Sequence, residues 1–201
     1  MAEAESAENF LERFLKKEID VMGTGFMMRS KDYNAIGGIP SYPNLLFADF
    51  ELWINLTKMS YKATSGKECF SFRLHQSATT ISPDIKFHQA FEKFIYFLNI
   101  LKDESDRFKL IIIENANEFL TFYCRSLSHR LLRTPKINRD DLSVKQFVGK
   151  CKMYAEMLGI GNKFKPNRII SIRLAVLFDS NAFGRTIFLF FKKIYTKPIL
   201  K

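Results

Sequence analysis

From Ala7 to Ile19 the apolar residues Phe10, Leu11, Phe14, Leu15 and Ile19 recur at helical spacing, with charges between them. That pattern lays one apolar stripe along a helix and predicts an amphipathic element here. Gly23-Thr24-Gly25 breaks it. Phe26-Met27-Met28 reads as a short buried strand, and Ser30 to Ile36 as a short helical turn closed by Gly37-Gly38. Pro40 and Pro43 make the stretch from Ile39 to Asn44 a loop, because each proline lacks a donor and restricts its predecessor. Asp49 is well placed to cap a helix over Phe50 to Met59. Tyr61 to Thr64 and Cys69 to His75 are strand-like and flank a turn at Ser65-Gly66-Lys67. In the second of these, Phe70, Phe72 and Leu74 alternate with Ser71, Arg73 and His75, so Arg73 and His75 share a polar face.

Beyond Pro83 the period is helical throughout. Phe87, Ala90, Phe91, Phe94, Ile95, Leu98 and Leu101 form one apolar stripe. A second helix is predicted from about Glu104 to Arg133, stopped by Thr134-Pro135, and a third from Ser143 to Leu158, ended by Gly159 and Gly161. From Arg168 onward apolar and basic residues mix. The shift near Pro83 divides the chain into a mixed α/β part (residues 1–82) and a helical C-terminal region (residues 83–201). The fold class is therefore α+β with a predominantly helical tail.

Composition changes the picture in three places. Apolar residues make up 47% and charged residues 26% of the 201 positions, which marks a globular chain. Phe is abundant at 21 residues, so the core leans on aromatic packing. The three cysteines, Cys69, Cys124 and Cys151, are widely spaced and form no Cys-x-x-Cys pair, which fits free thiols in a reducing compartment. The acidic start Met1-Ala2-Glu3-Ala4-Glu5 is unlike a signal peptide. Apolar runs such as Ile187 to Phe191 are far shorter than the ~20 residues that span a bilayer. A cytoplasmic protein is expected, with peripheral attachment at the inner face of the membrane as a further expectation.

Charge is unevenly placed. From Arg125 to Lys201 there are 17 Lys/Arg against 4 Asp/Glu, a net of +13, while the first 124 residues hold 14 against 17, a net of −3. Such asymmetry suits an anionic partner or a solvated basic face. The segment Phe183 to Tyr195 combines aromatics with Lys192 and Lys193, and fits an interfacial helix on anionic lipid or a buried helix with a basic end. Nucleic acid is not expected, since the aromatics fall on helical stripes instead of alternating with basic residues on strands.

Several residues carry possible chemistry. Asp49 can cap its helix or act as a general base. Trp53, the single tryptophan, suits a core position or a sugar-stacking surface. Arg73 can pair with a diphosphate, and His75 can ligate a divalent metal, or the two can form a strand-edge hydrogen-bonding pair. Gly37-Gly38 reads as a helix end and turn. His88 and His129 are expected on helix surfaces, and Asp140-Asp141 as capping residues for the helix that follows. Gly159-Ile160-Gly161-Asn162-Lys163 follows a helix and lacks the Lys-Ser/Thr ending of a phosphate loop, so no such loop is assigned.

The order of these features is itself informative. Gly37-Gly38, then Asp49-Phe50-Glu51-Leu52-Trp53-Ile54-Asn55-Leu56, then Arg73-Leu74-His75-Gln76-Ser77 resembles the acceptor-side half of family 2 glycosyltransferases, over roughly Gly23 to Ser82. The resemblance implies a GT-A-like acceptor half in which Asp49 is the catalytic base. Arg73 and His75 would then serve the donor phosphates or a Mn²⁺ or Mg²⁺ ion, and Gly37, Gly38, Glu51 and Trp53 would shape the acceptor side. Many members carry Glu where Ala48 stands. The implied partners are a nucleotide-sugar and a glycan or lipid-linked acceptor. The strand with its Pro-x-Tyr-Asn-like turn and the Asp-x-Asp site that hold the donor in that family do not occur here. The expectation is a C-terminal portion of such an enzyme that is not active alone. The alternative is a non-catalytic basic helical module docking on an anionic membrane surface or nucleic acid.

Overall fold

The computed structural model describes residues 3–21, 25–67 and 84–194. Helix accounts for 70% of the described structure. In chain order the elements are β1 (Glu3–Glu5), α1 (Ala7–Leu15), α2 (Ser30–Ala35), α3 (Ala48–Met59), β2 (Lys62–Thr64), α4 (Lys86–Glu104), α5 (Asp106–Arg133), α6 (Val144–Met157), α7 (Ile170–Ser180) and α8 (Ala182–Ile194). Single 3-10 turns lie at Pro43–Leu45, Lys136–Asn138 and Pro166–Arg168.

The sheet among the described residues is small. β1 pairs antiparallel with β2 in the register Glu3↔Thr64, Ala4↔Ala63 and Glu5↔Lys62. This is the partner that Lys62–Thr64 takes; the strand expected over Cys69 to His75 lies outside the described residues. Phe26-Met27-Met28 is not a strand: Met27 is fully exposed, while Phe26 lies against the ring of Trp53. One aromatic contact anchors that segment where a ladder was expected. Helical packing around two three-residue strands is not a GT-A fold, and that finer expectation is corrected.

Local sequence explains the helix limits. Ser6 accepts the Asn9 N–H at 3.3 Å and starts α1. Ser105 alone separates the two longest helices: its extended backbone (φ −157°, ψ 152°) ends α4, and its hydroxyl accepts the Phe108 N–H at 3.2 Å to open α5. Ser143 and Gln146 form a capping box at the start of α6. Asp140 and Asp141 do not cap it; they hold left-handed backbone (φ 46° and 59°), a conformation that Asp tolerates better than most residues.

The core is aromatic. Phe10, Phe50, Phe91, Phe94 and Phe119 are buried in a single cluster that takes residues from both sides of Pro83. Phe14 stacks on Phe50 at 3.8 Å, and Phe94 meets Phe50 edge-on at 5.5 Å. Offset and edge-to-face pairs of this kind add about 1 kcal/mol each beyond burial. α1 and α4 both pack on α5, which runs through the middle of the molecule. Cys124 on α5 and Cys151 on α6 are buried free thiols that meet across that interface. Burial and the neighbouring thiol push Cys151 well up.

A polar knot fixes the C-terminal helices. The Arg139 guanidinium donates to the Thr134 carbonyl at 2.7 Å and the Leu132 carbonyl at 3.3 Å, and pairs with Asp179 on α7 at 2.6 Å. The other Asp179 oxygen accepts the Val144 N–H at 2.8 Å, the first residue of α6. Arg185 on α8 donates to the same two carbonyls, at 3.1 Å to Leu132 and 3.0 Å to Thr134. The C-terminus of α5, the N-terminus of α6, α7 and α8 are thus tied together by two guanidinium groups and one carboxylate.

Candidate functional site

Two of the residues that the sequence singled out, Asp49 and Trp53, line a cleft between α2 and α3. Its volume is about 550 Å³, and its walls are Met28, Ser30, Tyr33, Asn34, Ile39, Asp49, Leu52 and Trp53. The α2 side is built by Gly37-Gly38. Gly37 N–H donates to Asn34 O at 3.1 Å and Gly38 N–H to Tyr33 O at 3.0 Å, the two bonds of a Schellman ending. Both glycines have positive φ (78° and 82°). At Gly38 a Cβ would stand 3.2 Å from the Tyr33 ring, so the turn lets that ring fold over the backbone. The Tyr33 hydroxyl oxygen in turn accepts the Ile39 N–H at 3.2 Å. Two backbone atoms and one ring thereby fix the mouth of the cleft.

The α3 side presents Asp49. The helix opens at Ala48, two residues earlier than expected, and its N-cap is Phe47 in left-handed backbone (φ 67°) with no side-chain cap bond. Asp49 therefore sits in the first turn and is not the cap. Its half-buried carboxylate lies at the positive end of the helix dipole and on the cleft wall, where an anionic side chain is stabilised. Asn44, Leu45 and Phe47 all have positive φ, a conformation that costs roughly 1 kcal/mol or more per non-glycine residue. Packing compensates at Phe47, whose ring stacks on Phe94 at 4.9 Å and meets Tyr123 edge-on at 5.4 Å.

Glu51 is turned to another task. Its carboxylate accepts a hydrogen bond from the Tyr42 hydroxyl, and burial together with that bond holds the phenol far above its ordinary range. The Lys93 ammonium lies 4.7 Å from the centre of the Tyr42 ring and donates to the Ser41 carbonyl. The loop that delivers Asp49 is thus clamped from both α3 and α4. Trp53 is 5% exposed and stacks on Phe26 at 4.2 Å and 15°, so Phe26 occupies one indole face. Its indole N–H is buried with no hydrogen-bond partner among the described residues. That is a costly state for a buried donor.

Arg73 and His75 lie outside the described residues. Among the described residues no group of three or more His, Cys, Asp or Glu could hold a metal ion. Neither of the other two histidines is freely exposed. His88 is 4% exposed, its Nε2 lies 3.1 Å from the Leu127 carbonyl, and it meets Phe147 edge-on. Burial lowers its pKa to about 4. His129 is half-buried, with Nε2 3.4 Å from the Ser171 carbonyl. Sequence reasoning missed Ser30, Tyr33 and Asn34 as cleft residues. The one available signal was their place in the last turns before Gly37-Gly38, which forces the chain back across α2.

No family model matches the chain, and neither a curated protein nor a solved structure is similar to it. Functional inference therefore rests on the cleft itself. A half-buried carboxylate, a phenol, a carboxamide and the indole of Trp53 around an open cavity offer acceptors, donors and aromatic surface. That set suits a polyhydroxylated ligand.

Proposed function

We propose that this chain is the acceptor-side part of a glycosyltransferase, moving a sugar from a nucleotide-sugar donor to a glycan or lipid-linked acceptor. In this reading the α2–α3 cleft receives the acceptor, and Asp49 takes the proton from the hydroxyl that attacks the anomeric carbon. The observation that carries the reading is the position of Asp49. It stands in the first turn of α3, on the cleft wall shared with Tyr33, Asn34 and Trp53. The order of motifs that resembles family 2 glycosyltransferases supports it. The described residues hold a two-stranded sheet only, and in this reading the resemblance assigns the donor phosphates to Arg73 and His75.

Exchanging Asp49 for Asn in the complete enzyme tests this role. General-base catalysis is worth about 10²–10⁴-fold, so transfer should fall by that factor while acceptor binding persists. Turnover within tenfold of the parent would remove Asp49 from the chemistry.

A further inference from the structure

The corner where α6 leads into α7 carries two features side by side. A cavity of about 320 Å³ is lined by Lys152 on α6 and by Lys165 and Arg168 from the segment before α7, with Glu156 contributing a carboxylate. Three cations against one anion leave that cavity electropositive. Just beyond Arg168, α7 turns Ile170, Leu174 and Leu177 to solvent, at 71%, 43% and 56% exposure. Their spacing of four and three residues puts them on one stripe, opposite the buried Ile172 and Ala175. α8 adds the exposed rings of Phe183 and Phe190.

A basic cradle beside an apolar stripe has a specific partner chemistry. A nucleic acid would engage the cations and leave the leucines in water. A purely apolar protein partner would engage the leucines and leave the cations unused. A lipid leaflet supplies a phosphate and hydrocarbon within one headgroup depth. The excess of 17 Lys/Arg over 4 Asp/Glu between Arg125 and Lys201 adds long-range attraction of the same sign.

We infer that the α6–α7 corner docks on an anionic phospholipid surface, with a headgroup phosphate in the basic cavity and Ile170, Leu174 and Leu177 at the headgroup–acyl boundary. The inference stands independently of the transfer reading. The test is co-sedimentation of the full chain with vesicles of phosphatidylcholine alone and of phosphatidylcholine with one-third phosphatidylglycerol, at physiological salt. Partitioning should require the anionic lipid. Replacing the three cations together (Lys152→Ala, Lys165→Ala, Arg168→Ala) should lower it about a hundredfold, at roughly fivefold per charge. Leu174→Ser with Leu177→Ser should lower it about tenfold. All five side chains are exposed, so circular dichroism should match the parent and separate lost docking from lost folding. Equal binding to neutral vesicles, or parent-like binding by either variant, would overturn the inference. So would a leucine-dependent dimer in sedimentation without any vesicle binding, which would assign the stripe to self-association.

Discussion

Replacing Asp179 by alanine removes the counter-charge from a guanidinium that is almost wholly out of water. The side chains of Arg139 and Asp179 are 3% and 6% exposed and 2.6 Å apart. Breaking such a pair leaves an uncompensated buried cation, which costs about 3–5 kcal/mol. The Val144 N–H also loses its acceptor at the start of α6. For a chain of this length, 1 kcal/mol corresponds to about 2–4 °C in Tm, so the expected fall is roughly 10 °C. Thermal melts followed by circular dichroism would read it directly. A double replacement, Arg139→Met with Asp179→Leu, should recover a large part of the loss. It leaves no buried charge, and Arg185 still donates to the Leu132 and Thr134 carbonyls. A single-variant cost below about 1 kcal/mol, or a double variant as unstable as the single, would refute the view that this knot holds the four helices.

Two further predictions follow from particular residues. His88 is held neutral by burial, with a pKa lowered to about 4 against an ordinary 6.5. Below pH 6.5 the unfolded chain therefore binds a proton that the folded chain refuses. Stability is full above that pH and is lost at up to about 1.4 kcal/mol per unit as pH falls toward 4. Urea titrations between pH 7 and 4.5 should show this slope, and His88→Gln should flatten it; an unchanged slope would place the titration elsewhere. Gly38→Ala should cost about 2 kcal/mol, because positive φ and contact with the Tyr33 ring add together, whereas Gly37→Ala, open on its Cβ side, should cost about 1 kcal/mol. Equal costs in chemical denaturation would show that the Tyr33 ring simply moves aside.

The sequence made the long helices legible because their apolar stripes run for many turns. The expected break near Glu104 falls at Ser105, and the expected Ser143 to Leu158 helix is Val144–Met157. The mixed segment after Arg168 hid a helical pair, since its break at Asn181 carries neither Gly nor Pro; Asn181 instead accepts the Gly184 N–H at 2.5 Å to begin α8. β1 was invisible because Glu3 and Glu5 have low strand propensity, and β2 supplies its pairing. His88 was misplaced although its spacing to Phe91 and Ile95 puts it on the buried stripe; a polar residue type outweighed a correct period. Of the residues that motif order singles out, Asp49 and Trp53 line the cleft and Gly37 and Gly38 end α2 beside it, while Tyr33 and Asn34 carry no such signal. Their role arises from a turn that folds α2 back on α3, a relation no local pattern encodes. Glu51 was grouped with the acceptor side on similarity, and it serves the Tyr42 clamp.

The most direct test of the central claim uses the single tryptophan as a reporter. Trp53 lines the cleft, and its indole N–H has no partner among the described residues, so its resonance and fluorescence are read without interference from any other tryptophan. Titration of the chain with a panel of oligosaccharides and lipid-linked glycans should give a saturable shift of the indole signal for at least one of them. The same shift should weaken in Tyr33→Ala. No indole response to any glycan, or one indifferent to Tyr33, would contradict an acceptor site in the α2–α3 cleft.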